Sequence, residues 1–384
     1  MYTVISLLAL HLAAAPVSSA ADPDFAVQGE YLAEAWDAGR LTATHGLQVV
    51  ARGEGKFEGY LFEGGLPGNG GPPTSRRKLN GHRQDAEILL NDTDWEVRLS
   101  AAQATLAARD GSRQTTLRKV QRTSRTLGAA PPPHAVRLFD GTDTGEFQGF
   151  KMSDEGLLQV GAETKRSFGD FQLHLEFQLP FMPSAEGQAR GNSGVYIQRR
   201  YEVQILDSFG LVGEANECGG LYRQQAPELN MCLPPLTWQT YDIHFRAARW
   251  DEAGQKTANA NISVYLNGVA VHAVREIPTK TGAGQPEGPE PRAILLQNHG
   301  DPVQFRNVWI VDGSDGLQSL ATATTAAGSA AASHWSDGQP AGERASAGWL
   351  VRRFPQLAMR GGQSSPDTYH RPVASHPGKL VRRR

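Results

Sequence analysis

The sequence predicts an all-β protein whose main domain is an antiparallel sandwich, on three grounds. Phe171, Leu173, Leu175, Phe177 and Leu179 alternate with Gln172, His174, Glu176 and Gln178, the period-two pattern of a strand with one buried face. Asn267-Gly268 is the preferred pair for a two-residue hairpin turn, and it sits between the alternating sets Ile262, Val264, Leu266 and Val269, Val271. No run of helix length separates these strands, which excludes parallel βαβ units. With 42 Gly and 23 Pro in 384 residues, roughly 17% against a usual level of about 12%, the chain is also rich in turns.

Residues 1–20 read as a signal peptide. Val4 to Val17 is nearly unbroken apolar or small sequence, interrupted at Ser6, His11 and Pro16, and Ser18-Ser19-Ala20 offers the small residues of a cleavage site. No Lys or Arg precedes the run, and it is too short to span a bilayer. Export to a periplasmic or extracellular space is expected, and no later stretch is a transmembrane candidate.

Residues 21–130 read as an irregular, β-rich region and linker. Short strands are expected at 47–51 and 60–62, a Gly/Pro loop at 64–73, and strand or helix from Trp95 to Ala108. A basic, polar stretch follows at 109–128, closed by Pro131-Pro132-Pro133. The sandwich occupies 136–312. There Val195, Ile197, Tyr201, Val203 and Ile205 share the apolar face, Tyr196, Gln198, Arg200, Glu202 and Gln204 the polar one, and Arg199 marks a bend. Residues 313–384 lose all periodicity and end in Arg382-Arg383-Arg384, which predicts a disordered basic tail.

A formal net charge of −2 excludes a global basic field for nucleic acid. Two cysteines cannot form a disulfide scaffold or a four-thiolate zinc site. In an oxidising compartment Cys218 and Cys232 are expected to close one short loop as a disulfide, the alternative being two buried thiols. His-Glu-x-x-His, the phosphate-binding loop and the Gly-x-Ser-x-Gly elbow are absent from the sequence, and Gly191-Asn192-Ser193-Gly194 reads as a turn. The polar face remains. Arg200, Glu202 and Gln204 project from one strand and His174 and Glu176 from another, with Tyr196 as a stacking platform. Carboxylate, guanidinium, amide and imidazole groups interleaved in this way suit a sugar, although a sheet wets one face in any case.

Arg200-Tyr201-Glu202-Val203-Gln204-Ile205-Leu206-Asp207-Ser208 and Gln297-Asn298-His299-Gly300-Asp301-Pro302 carry a more specific signal. Together with Leu138-Phe139-Asp140-Gly141, Phe168-Gly169-Asp170-Phe171, Gly191 to Tyr196 and Trp238 to Asp242, they resemble the 3-keto-disaccharide hydrolase domain family. The resemblance runs in matching order from about 136 to 312. It implies a concanavalin A/laminin G-like jelly roll acting on glycosides oxidised at C3.

A C3 ketone acidifies the C2 proton, so a base can form the enolate and the C1–O bond can leave by elimination, with water adding later for net hydrolysis. Such a route needs a base near neutral pKa, an enolate stabiliser and an acid for the leaving group. The resemblance and the residue chemistry together suggest His299 as base, Glu202 as alternative base or ligand, and Arg200 as enolate stabiliser. Tyr196, Gln198, Gln204, Glu176, His174, Asn192 and Asp207 are the expected substrate contacts, Asp207 alternatively capping a strand end. No cofactor is demanded; a divalent metal held by His and carboxylates stays open, since no spacing requires one. The expected partner is a carbohydrate, neither nucleic acid nor membrane. A non-catalytic carbohydrate-binding module on the same fold is the competing reading. The chain departs from the family pattern at Asn298 and Asp301, where acid and amide have traded places. It also lacks the tryptophan usually found after Phe-Asp-Gly, a place Phe147 or Phe150 fills.

Overall fold

Alternating side chains build two β units in the structure, a computed structural model that describes residues 22–37 and 40–313. The expected signal segment and basic tail lie outside the described residues. No helix among the described residues is long and apolar enough to cross a membrane.

The leading region is β-rich as expected, but it is regular rather than irregular. Eight strands, β1 (Gly29–Asp37), β2 (Arg40–Ala51), β3 (Lys56–Glu63), β4 (Arg77–Gln84), β5 (Glu87–Asn91), β6 (Trp95–Leu99), β7 (Gln103–Ala108) and β8 (Gln114–Val120), each pair with their sequence neighbours. β8 returns to β1 at Glu30↔Val120 and closes an up-and-down barrel. Its interior is filled by side chains, among them Tyr31, Leu47, Phe57, Leu79, Val97 and Leu117. The stretch from Trp95 to Ala108 is thus two strands. The Gly/Pro segment holds a two-residue ladder between Leu66–Pro67 and Gly70–Gly71.

The sandwich follows as expected. One sheet contains β9 (Val136–Phe139), β11 (Leu158–Gln159), β13 (Phe171–Gln178), β16 (Trp238–Arg246), β17 (Ala260–Leu266), β18 (Val269–Ile277) and β20 (Gln304–Asp312). The other contains β10 (Phe147–Gln148), β12 (Glu163–Thr164), β14 (Ser193–Ile197), β15 (Tyr201–Ile205) and β19 (Leu295–Leu296), in the order β10-β12-β19-β14-β15. Phe171, Leu173, Leu175 and Phe177 meet Val195, Ile197, Val203 and Ile205 in one shared core. Asn267 and Gly268, both left-handed, make the expected β17–β18 turn, and Gln198 and Arg199 likewise turn β14 into β15.

The polar face of β13 is not open. Residues 124–129 lie across it as a strap. The Ser124 and Thr126 hydroxyls pair with Thr240 at 2.6 and 2.7 Å, and the Gly128 N–H donates to Glu176 at 2.6 Å. Asn307 and Trp309 both donate to the Ala129 carbonyl at 3.1 Å.

Barrel and sandwich share apolar contacts. Val50, Tyr60 and Phe62 face out of the barrel into the sandwich core with Phe209 and Met231, while Phe181 enters the barrel core beside Phe25. Gly210 allows the close approach, since a Cβ there would lie 2.6 Å from the Tyr60 ring. Arg190, wholly buried, clasps the junction: its Nε donates to Asp207 at 2.6 Å and its Nη atoms reach the carbonyls of Ala51, Pro183 and Ala185. Asp207 is therefore a structural counter-ion, not a sugar contact.

The expected Cys218–Cys232 disulfide is absent; both residues are buried free thiols in the sandwich core. Cys218 Sγ lies 3.3 Å from the Tyr241 hydroxyl, and Cys232 Sγ lies 3.5 and 3.6 Å from the Leu233 and Leu206 carbonyls. Each sulfur is thus turned to a polar partner.

Asp207→Ala leaves the Arg190 guanidinium buried without its carboxylate, and is expected to cost about 3–5 kcal/mol of stability in denaturant titration. A loss below about 1 kcal/mol would contradict the clasp.

Candidate functional site

The hairpin β14–β15 carries the site. In its register Tyr196 faces Glu202 and Gly194 faces Gln204, so these side chains stand on the face turned away from the core. Across the next strand, Leu295 faces Tyr196 and the Gln297 N–H donates to the Gly194 carbonyl at 2.8 Å. Gly194 leaves a gap in this floor. A Cβ there would come within 2.5 Å of Glu202 Oε1, so any larger residue displaces the carboxylate.

Glu202 is the chemical centre. It is 2% exposed, and its Oε2 accepts the Tyr196 hydroxyl at 2.7 Å. Burial pushes its pKa up to about 7, only partly offset by the Tyr196 hydrogen bond. The Tyr196 pKa is in turn raised by burial and by the Glu202 charge. Thr281 Oγ1 accepts the Glu202 N–H at 2.6 Å. The Gly/Pro-rich loop 278–291 therefore covers this end of the hairpin.

Beyond Gly194 the lining is made of amides. Asn192 Nδ2 donates to the Gln188 carbonyl at 2.7 Å, and Asn192 Oδ1 accepts Gln204 Nε2 at 3.1 Å. Gln204 Oε1 and Gln297 Oε1 are buried with no hydrogen-bond partner among the described residues.

Several expected site residues act elsewhere. Arg200 does not reach the substrate face: its guanidinium donates to Gln198 Oε1 and the carbonyls of Pro286 and Glu290, which fastens the covering loop. Gln198 donates to the Phe168 carbonyl at 2.8 Å and is likewise spent on structure. His174 and Glu176 belong to the opposite sheet, under the strap. The His174 ring stacks on Trp309 with Nδ1 2.7 Å from Asp242. Burial opposes its charge, but hydrogen bonds and charges of Asp242 and Glu176 outweigh that and raise its pKa. Burial also opposes ionisation of Glu176, yet His174, whose Nε2 lies 3.9 Å away, and hydrogen bonds from Asn307, Arg306 and the Gly128 N–H bring it down to about 2.

His299 is exposed at the other end of the hairpin from Glu202. Its loop is fixed by Asp301, whose Oδ2 accepts the Asn192 N–H at 2.7 Å. Burial raises the Asp301 pKa against the opposing hydrogen bond from Asn192. Asn192 and Tyr196 are four residues apart, about 13 Å of strand. The structure therefore brings Glu202, Tyr196, Gln204 and Asn192 together, sets His299 at a rim, and leaves Arg200 outside. Sequence reasoning missed Gln188, Thr281 and Gln297; only Gln297 lay in a string already singled out. Among the described residues no three His, Cys, Asp or Glu side chains converge as a metal site would require. One carboxylate beside a phenol and neutral amides is a poor donor set for a divalent cation.

A family model described as the 3-keto-alpha-glucoside-1,2-lyase-like domain matches residues 134–311. Among solved structures, the chain is similar to one from Parabacteroides distasonis described as a "putative glycosyl hydrolase". The two are 33% identical over 47% of this chain and 84% of that one, with a TM-score of 0.43. A second protein of that organism and description is 19% identical over 47% and 94% of the two chains, with a TM-score of 0.35. No curated protein matches the chain.

A carboxyl whose folded pKa is raised lends the native state stability that is present at low pH and lost as pH rises through about 7. Glu202→Gln, which stays neutral, is expected to melt above the wild type near pH 8 and equal to it near pH 4. A constant difference across that range would show that Glu202 is not held neutral by burial.

Proposed function

Through residues 134–311 the chain belongs to the 3-keto-alpha-glucoside-1,2-lyase-like domain family, and from that premise we propose that it cleaves 3-keto-glycosides with Glu202 as the base. The single observation that carries this reading is the Glu202 carboxyl itself, buried without a cation, bonded to Tyr196 and poised near pH 7. A base works best when its pKa lies near the operating pH, and burial supplies that match here.

Ionised Glu202 takes the proton from C2, and the C2–H electron pair delocalises onto the C3 carbonyl oxygen as an enolate. Return of that pair re-forms the carbonyl, makes the C1=C2 bond and expels the C1 oxygen as the leaving alcohol once it gains a proton. The products are an unsaturated 3-keto sugar and a free alcohol; later addition of water to the enone gives net hydrolysis. Tyr196 holds the carboxylate in place for the first step and limits how far burial raises its pKa. His299, exposed at the far end of the amide lining, lies too far from Glu202 to act on the same C1–C2 bond, so the leaving alcohol takes its proton from the protonated Glu202 or from water. Export of the protein, expected from residues 1–20, would place this reaction on sugars outside the cytoplasm.

Incubation with a 3-keto-disaccharide is expected to release the free sugar, with kcat/KM rising with pH to a plateau above about 7. Glu202→Gln should lose at least about 10²-fold. Tyr196→Phe removes a donor to the carboxylate and should shift the midpoint to higher pH. Binding of unmodified glycans with no turnover of keto-sugars would favour a carbohydrate-binding module instead.

A further inference from the structure

The amide lining beyond Gly194 has a defined orientation. The Gln188 backbone carbonyl can only accept, so Asn192 must present Nδ2 to it and Oδ1 to Gln204. Gln204 must then present Nε2 to Asn192, which leaves Gln204 Oε1 turned away from that chain. This oxygen, on a residue 1% exposed, has no partner among the described residues, and neither has Gln297 Oε1. Gln204 and the stretch leading into Gln297 flank Gly194 on either side, two strand spacings or about 10 Å apart at the backbone. Between them the Glu202 side chain fills the space above Gly194, its Oε1 2.5 Å from where a Cβ would stand.

Buried acceptors left without donors are costly, and natural structures keep few of them. We propose that Gln204 and Gln297 are the specificity-determining acceptors for two hydroxyl groups of one sugar ring seated between them, beside the Glu202 carboxylate. This deepens the proposed function, on which it rests for the location of the sugar. Hydroxyls are the donors that fit: each supplies one O–H, carries no charge, and leaves the neutral amides and the nearby carboxylate unperturbed. A cationic ligand would instead be drawn to Glu202, and an anionic one would find no cation in this lining. The chemical class is thus a glycoside with two free hydroxyls on the ring held at this point; a ring blocked or deoxygenated there is discriminated against.

The test compares wild type, Gln297→Met and Gln204→Met against a 3-keto-glucoside and its monodeoxy analogues, with binding of the unoxidised glucoside followed by calorimetry. Gln297 is the cleaner probe, because its side-chain amide makes no hydrogen bond among the described residues and its loss should leave the melting temperature unchanged. Each substitution is expected to weaken substrate use by roughly tenfold to a hundredfold, in KM more than kcat. For each variant, one deoxy analogue should then be no worse than the parent sugar, since acceptor and donor have been removed together. Wild-type affinity and turnover in both variants, or equal further losses on every deoxy analogue, would overturn the assignment and leave water as the occupant. If wild type binds the glucoside but turns over no keto-sugar, the proposed reaction falls. The acceptor assignment then stands or falls on whether the two variants lose that binding.

Discussion

A carboxyl group buried without a counter-charge is the constraint on which the site depends. Moving Glu202 from its ordinary value to about 7 corresponds to something on the order of 3 kcal/mol against ionisation. The fold bears that cost locally. Gly194 yields the volume the carboxylate needs, Tyr196 supplies one donor, and the loop over 278–291 excludes water. Arg200 could have neutralised the charge from two residues away on the same strand face. It is instead drawn off to the Pro286 and Glu290 carbonyls, so the same interaction that closes the loop also keeps a cation away from this carboxyl.

The two outer faces of the sandwich show how differently the same pattern can be used. On β13, His174, Glu176 and their neighbours form a network in which carboxylates, imidazole and amides find partners in Asp242, Arg306, Asn307 and the strap. Such a satisfied network adds rigidity and specifies how the strap docks. Around β14, β15 and the stretch after β19 the network is incomplete: among the described residues, the Gln204 and Gln297 side-chain oxygens have nothing to accept. Unmet acceptors beside a buried carboxyl, rather than polarity alone, mark the face around Glu202 apart from the strapped face of β13.

Period-two reading located the sandwich strands, their core residues, the Asn267-Gly268 turn and the Arg199 bend, because each of those strands buries one face only. It could not separate the two polar faces, since the strap that covers β13 comes from residues 124–129, far from it in sequence. The barrel was harder to see for a related reason. Val49 points into the barrel and Val50 into the sandwich, and Leu61 and Phe62 divide in the same way, so β2 and β3 lose the alternation that marks a half-exposed strand. The roles of Arg200 and Asp207 were illegible because both side chains are spent on partners that tertiary packing supplies, the loop carbonyls at 286 and 290 in one case and Arg190 in the other. Glu202 was visible as a candidate; its loss of a cationic neighbour was not.

The barrel bears on the site through short covalent reach. Arg190, whose guanidinium bridges the Ala51 carbonyl of the barrel and Asp207, lies two residues before Asn192, and Asp207 lies three residues after Gln204. The Asp207 N–H closes the pair by donating to the Arg190 carbonyl at 3.2 Å. Asn192 and Gln204 thus leave the sheet at a point pinned to the barrel, and the hydrogen bond between them sets which way the Gln204 oxygen faces. A free sandwich would have to hold a buried guanidinium and its carboxylate at a surface, where water competes for both. The barrel removes that competition. Its contribution to the site is then orientational: it fixes the end of the hairpin from which the amide lining is built.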